Sequence, residues 1–226
     1  MKAAKRHIEK VPIKLGGMAC LLIVILFAFS FSLNGQNHLE PTIHSTGLYN
    51  WQAEYYAKVG EVLFPDTEYF EKSRYLILPS FGLETGMRIL YDQSTKTHSL
   101  EVLVVKKSIW ESLTQDKKRF RAGVDRTSIP IKEGDAEDII KMYEASLSSI
   151  KLPENPRIGI DGVTYFLSNY SYTGTIWSPK NGLTKELIEI SKEIRKKSLE
   201  NNKWLGLDDV LLARIVDLGE QFKIKN

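Results

Sequence analysis

The stretch Met87–Val105, MRILYDQSTKTHSLEVLVV, decides the fold. Met87 to Tyr91 and Leu100 to Val105 are two short apolar runs of strand length. Between them, Asp92 to Thr97 reads Asp-Gln-Ser-Thr-Lys-Thr, a polar insert with turn chemistry. Two strand-like runs joined by so short a polar segment predict an antiparallel hairpin, because a parallel pair would need a long crossover between them.

The segments on either side extend that reading. Upstream, Tyr75 to Leu78 is a strand ended by Pro79. Residues 49–59 fit two periods. Tyr49, Trp51, Ala53, Tyr55, Ala57 and Val59 alternate as in a strand, while Leu48, Trp51, Tyr55, Val59 and Val62 share a helical face. The Ala, Gln, Glu and Lys between them tip the choice to helix, broken by Pro65-Asp66. Downstream, Ile109 to Arg126 is charged and weakly patterned and reads as a loop or irregular connection. Ser128 to Ile131 reads as a short edge strand, since Pro130 cannot donate to a ladder. Asp135 is then a candidate helix cap, with Ile139, Ile140, Tyr143, Leu147 and Ile150 as the apolar stripe. Asp161-Gly162 between Arg157–Ile160 and Val163–Leu167 predicts a second hairpin. A strand through Thr175–Trp177 ends at Ser178-Pro179. A helix capped by Thr184 carries Leu187, Ile190, Ile194 and Ser198, and a last helix opened by Asp208 carries Leu211, Leu212, Ile215, Leu218 and Phe222. Strands, helix, strands, helix, helix is the order of an α+β fold. The expectation is a largely antiparallel sheet of about five strands, packed by two to four helices and preceded by an N-terminal hydrophobic export segment.

Residues 1–14 hold Lys2, Lys5, Arg6, Lys10 and Lys14 against Glu9, and Leu15 to Leu33 has no charged residue. A basic start followed by an apolar run is an export signal. The run is long for a cleaved signal and just long enough to span a bilayer. Residues 1–35 are therefore read as a signal peptide or a signal anchor. Cleavage after Gly35 is one route; the other leaves a single span with the C-terminal domain outside the cytoplasm. Cys20 lies near the start of the run, where a small hydrophobe explains it better than a lipidation site does. Residues 36–47 read as a polar linker and 48–226 as a single domain.

The whole chain has 226 residues and a formal charge of +3. Without the first 35 residues, Lys plus Arg falls from 31 to 26 and Asp plus Glu from 28 to 27, leaving a charge of −1. The basic balance thus belongs to the targeting segment and argues for no acidic partner. One cysteine excludes a disulfide framework and any Cys-rich metal site. His44 and His98 are isolated, no metal or cofactor motif is present, and the nucleophile-elbow, zinc-protease, phosphate-loop and EF-hand patterns are all missing.

Two features remain as candidate sites. Tyr165, Phe166, Tyr170, Tyr172 and Trp177 are the densest aromatic group, a candidate platform for a sugar or peptide. Tyr165 and Phe166 point to opposite faces of a strand, and Phe166, Tyr170 and Tyr172 would share one face if that strand ran unbroken. Sheet core is the competing explanation. Lys117, Lys118, Arg119 and Arg121 form a basic run that could hold anions, although a solvated loop is the better explanation. Glu133, Asp135, Glu137 and Asp138 are accounted for by the dipole of the helix they open. Asn169-Tyr-Ser171 is a glycosylation sequon.

The series Asp161-Gly162-Val-Thr-Tyr165-Phe166, then Trp177-Ser178-Pro179, then an amphipathic helix, resembles small uncharacterised exported bacterial proteins over the last third of the chain. That resemblance implies an α+β domain and bacterial export, and carries no activity. The sequence favours a non-enzymatic module that binds an envelope or extracellular protein or glycan, periplasmic or secreted. Nucleic acid is disfavoured by export. The alternatives are a small envelope hydrolase with dispersed carboxylates and tyrosines, and a membrane-anchored structural subunit contacting the bilayer through residues 15–33.

Overall fold

The structure, a computed structural model, describes residues 36–42, 50–115, 123–152, 161–200 and 206–224. The N-terminal apolar run, the basic run 117–121 and the segment 153–160 lie outside the described residues.

The hairpin at Met87–Val105 is present and supplies two adjacent strands of a larger sheet. Strands β1 (Glu40–Pro41), β2 (Phe70–Pro79), β3 (Thr85–Asp92), β4 (Thr97–Val105), β5 (Val124–Ile131), β6 (Val163–Asn169) and β7 (Thr173–Trp177) lie in the order β1-β7-β6-β2-β3-β4-β5. Every neighbouring pair is antiparallel. Five helices accompany it: α1 (Asn50–Leu63), α2 (Ile109–Gln115), α3 (Glu133–Ser148), α4 (Gly182–Glu200) and α5 (Asp209–Ile224). The fold is α+β with an antiparallel sheet. Among the described residues it has seven strands where about five were expected, and five helices where two to four were.

The β3–β4 turn is held by one side chain. The Asp92 carboxylate accepts bonds from Ser94 N (2.8 Å), Ser94 Oγ (2.6 Å) and Thr95 Oγ1 (2.9 Å), and Lys96 takes φ 56°. These bonds to the charged form hold its pKa at about 2.

Alternation along the strands gives the sheet two different faces. On the first, Tyr75, Met87, Ile89, Leu100, Val102, Ile129, Tyr165, Leu167 and Ile176 pack under α3, α4 and α5. Each helix brings the stripe its sequence announced, including Leu187, Ile190 and Ile194 of α4 and Leu211, Ile215, Leu218 and Phe222 of α5. Tyr143 of α3 donates to Ser191 Oγ of α4 (3.0 Å). Gly219 of α5 faces α3, where a Cβ would make ordinary contact with Met142 Cα at 3.5 Å.

On the second face, α1, α2 and Phe64 pack mainly on β2 and β4, through Val59, Leu63, Phe64 and Ile109 against Leu76, Leu78, Leu103 and Val105, with Phe166 of β6 and Val124 of β5 at the margins. Beneath them lies an alternating ionic chain. Arg74 bonds Glu71 (2.8 Å), and Glu71 also pairs with Arg88 (3.3 Å). Arg88, only 2% exposed, pairs with Glu101 (2.6 Å), which also meets Arg126 (3.2 Å). The bulge between Glu71 and Ser73 permits this arrangement, turning Glu71 toward the arginines and Lys72 toward Phe70 and Tyr91.

Several local expectations are corrected. Ile109–Gln115 is a helix, because Glu84 caps it from β3: its carboxylate accepts Ile109 N (3.0 Å) and Trp110 N (3.1 Å). The edge strand β5 begins at Val124, four residues earlier than Ser128. Asp135 and Thr184 do not cap their helices. α3 starts at Glu133 after Lys132 with no side-chain cap, and Thr184 is buried inside α4. Asp208 does cap α5, accepting Leu211 N at 2.9 Å. The partner expected for β6 across Asp161-Gly162 lies outside the described residues, and both edges of β6 pair elsewhere, with β2 and β7.

The start of the presumed linker is also structural. Residues 35–226 group as one compact unit. Glu40 and Pro41 pair with Thr175 and Gly174, and Leu39 is fully buried in the main core. Leu39 O accepts Lys151 N (2.9 Å), and Gln36 N reaches Trp177 O (3.2 Å).

Candidate functional site

The half-covered second face leaves a groove of about 600 Å³ beside α1. Its floor follows from the sheet register. One cross-strand row runs Leu76, Phe166, Thr175, Glu40; the next runs Arg74, Ser168, Thr173. Thr164, Pro41 and Thr42 extend it. Backbone groups of β6 are already spent on β2 and β7, so the floor offers hydroxyls and apolar surface rather than a free strand edge.

The wall is one side of α1. Ala53, Ala57 and Gly60 line it at helical spacing, and a Cβ on Gly60 would meet nothing within 4 Å. The opposite side of the same helix carries Val59 and Leu63, which anchor it to the sheet. The groove therefore lies where α1 presents Ala53, Ala57 and Gly60 beside the ring of Tyr56. Tyr56 closes part of it, edge-on to Phe166 at 5.5 Å. Burial pushes the Tyr56 hydroxyl's pKa up, so it stays a neutral donor.

Arg74 stands at the β2 end. Its guanidinium lies 4.2 Å from the Phe64 ring centroid, a cation–π contact, and bonds Glu71. Its buried Nε has no hydrogen-bond partner. Gly86 gives Phe64 its place, because a Cβ at residue 86 would lie 2.6 Å from Phe64 Cζ.

A second concavity, about 530 Å³, lies on the other face where α3 meets the β6–β7 turn. It brings together Lys72, His98, Glu133, Glu137, Lys141 and Glu144. His98 is 8% exposed and its ring lies 4.8 Å from that of Tyr91. Burial lowers its pKa, and Lys72 adds to this against the opposing pull of Glu133 and Glu137. Its buried Nδ1 has no hydrogen-bond partner, so no carboxylate orients the ring through that nitrogen. Glu137 is paired with Lys141 along the helix (3.2 Å). Among the described residues no group of three or more His, Cys, Asp or Glu is arranged to hold a metal ion.

The five aromatic candidates are dispersed. Tyr165 is 4% exposed and stacks on Tyr75 at 6.1 Å in the main core. Phe166 faces the groove. The strand does not run on past Asn169, whose side-chain oxygen accepts Ser171 N (3.0 Å) and Tyr172 N (2.8 Å) to close the β6–β7 turn. Tyr170 therefore leaves the face of Phe166, stands 87% exposed and stacks on Phe70 at 6.2 Å beside the second concavity. Tyr172 is exposed in the same turn, and Trp177 ends β7 against Gly162 and Gln36. Lys117, Lys118, Arg119 and Arg121 lie outside the described residues.

Sequence reading missed Arg74, Tyr56, Phe64 and the hydroxyl floor. The available signal was the Ala53-Ala57-Gly60 spacing together with Thr164, Phe166, Ser168 and Thr173, Thr175 at period two. Neither marks a site until the two elements are brought face to face. No protein-family model, curated protein or solved structure matches the chain.

Proposed function

We propose that the protein is an exported binding module that takes a ligand of the cell envelope or its surroundings in the groove beside α1. The observation that carries this is the groove itself: an apolar concavity with a few convergent polar groups is the usual form of a ligand site. Residues 1–35 direct export in this reading, as a cleaved signal or as an anchor through residues 15–33. Among the described residues no helix is long and apolar enough to cross a membrane.

The hydrolase alternative would use the second concavity, where carboxylates and His98 share a cleft. A general base needs a hydrogen-bonded orienting partner and a nucleophile within reach. The unpartnered Nδ1 of His98 and the pairing of Glu137 with Lys141 speak against that use.

A groove-filling substitution separates the two. Ala57 is exposed on the groove wall, so Ala57→Phe occupies the space without touching the core. Pull-down of the wild type and Ala57→Phe from envelope extract, read by mass spectrometry, should show a component lost only with the variant. Turnover of a generic hydrolase substrate that His98→Ala abolishes and Ala57→Phe spares would replace the binding reading with the enzymatic one.

A further inference from the structure

Among the described residues, the ionic chain on the half-covered face does not balance. Arg74, Arg88 and Arg126 share two carboxylates, Glu71 and Glu101. Arg88 sits between both acids and bonds them and Pro65 O (3.2 Å) through Nε and Nη1, while its buried Nη2 has no hydrogen-bond partner. The two end arginines each have one acid, and each of those acids is also claimed by Arg88. One of these ends, Arg74, opens into the groove, with its Nε buried and without a partner.

We propose that the groove binds an amphiphilic monocarboxylate, with its head at Arg74 and its apolar body lying along Phe166 and the α1 wall. This rests on the groove being the binding site. A planar carboxylate fits the guanidinium fork and would complete the alternation of charges. A single cation already shared with Glu71 suits one negative charge rather than a doubly charged phosphate. Glu40, which pairs with His38 (3.6 Å), closes the same floor three strands away, about 14 Å at the usual strand spacing, and sets the length open to the ligand. The body is apolar because Leu76, Phe166, the ring of Tyr56 and the two alanines offer apolar surface, and because the backbone of β6, paired on both edges, is spent.

The test uses protein expressed as the full chain and purified in its mature form, titrated calorimetrically with three probes. Dodecanoate, whose extended chain matches the span, carries head and body; dodecanol keeps the body alone; glucuronate keeps a carboxylate on a polar body. Dodecanoate should bind about tenfold or more tightly than dodecanol, the size of a hydrogen bond to a charged group. Arg74→Gln should erase that preference, Arg74→Lys should restore part of it, and Ala57→Phe should abolish binding of both. Equal binding of dodecanol, preference for glucuronate, no binding of dodecanoate, or a preference that survives Arg74→Gln overturns the ligand class while leaving the groove in place. Undiminished binding by Ala57→Phe overturns the groove itself.

Discussion

Leu39→Ala tests whether the segment before α1 belongs to the folded unit. Leu39 is 0% exposed and sits in the main core with Ile176 and Leu167. The change removes three carbons, about 2.4 kcal/mol at ~0.8 kcal/mol each. The residual cavity raises the cost to about 3 kcal/mol, the lower end for fully buried leucines. The low end applies because the segment has few ties that stop it from settling inward. They are the bonds of Gln36 N, Leu39 O and Thr42 N, those that Gln36 Oε1 and Glu40 O accept from Trp177 N and Thr175 Oγ1, and the short pairing with β7. For a domain of this size about 3 kcal/mol lowers the melting temperature by roughly 6–12 °C. Leu152→Ala is the control, since Leu152 is 78% exposed and its loss should stay within about 0.5 kcal/mol. Urea and thermal unfolding followed by circular dichroism would measure both. If the two variants unfold together, residues 36–42 lie outside the cooperative unit and the reasoning fails.

Three further outcomes follow from the same structure. Glu101→Leu leaves Arg88 buried without its nearest acid and should cost about 3–5 kcal/mol, whereas Arg88→Met with Glu101→Leu should recover most of the loss in urea unfolding; simple additivity of the two single changes would refute the pairing. Gly86→Ala forces Phe64 to move and should cost about 1–3 kcal/mol by the same measurement, so unchanged stability would show that the ring has room. His98 has a folded pKa below its ordinary 6.5, so the unfolded chain takes up the proton first as pH falls. Its contribution to stability is complete above about 6.5 and declines from there toward the lower folded value. An NMR titration placing the imidazole at or above 6.5 would contradict this.

What the sequence disclosed depended on the range of the interaction involved. The Met87–Val105 hairpin, the stripes of α4 and α5 and the Asp208 cap are set by neighbours within a few residues, and their patterns survive in one dimension. α2 was read as a loop because its cap, Glu84, lies 25 residues upstream of the Ile109 N–H it binds. β1 was read as linker because two residues cannot show a period, and its anchor is one leucine. The Asp161-Gly162 signal predicts a hairpin whose first strand lies outside the described residues, and the neighbours of β6 are β2 and β7, whose pairing no local cue records. The aromatic group failed as a unit for a related reason. Asn169 ends the strand through its side chain, so Phe166 and Tyr170 separate within four residues.

The two faces of the sheet also explain why a groove can persist in a protein whose stability is marginal. Three helices with continuous apolar stripes cover the first face, and most of the large buried side chains lie there. The second face can therefore stay partly open at little cost to the fold. α1 makes the division visible along a single helix: Val59 and Leu63 secure it, while Ala53, Ala57 and Gly60 forgo packing they could have made. Larger apolar residues at those three positions would bury more surface over Phe166 and Leu76, at about 25 cal/mol per Å². A helix selected only to hold the sheet would carry them. The same holds for the charges below it: an ionic chain of three cations and two anions is a weak way to stabilise a sheet, and hydrophobic replacements are often as stable. Small residues where bulk would stabilise, beside a cation whose neutralising acid is shared, are costs that a bound anionic amphiphile would offset.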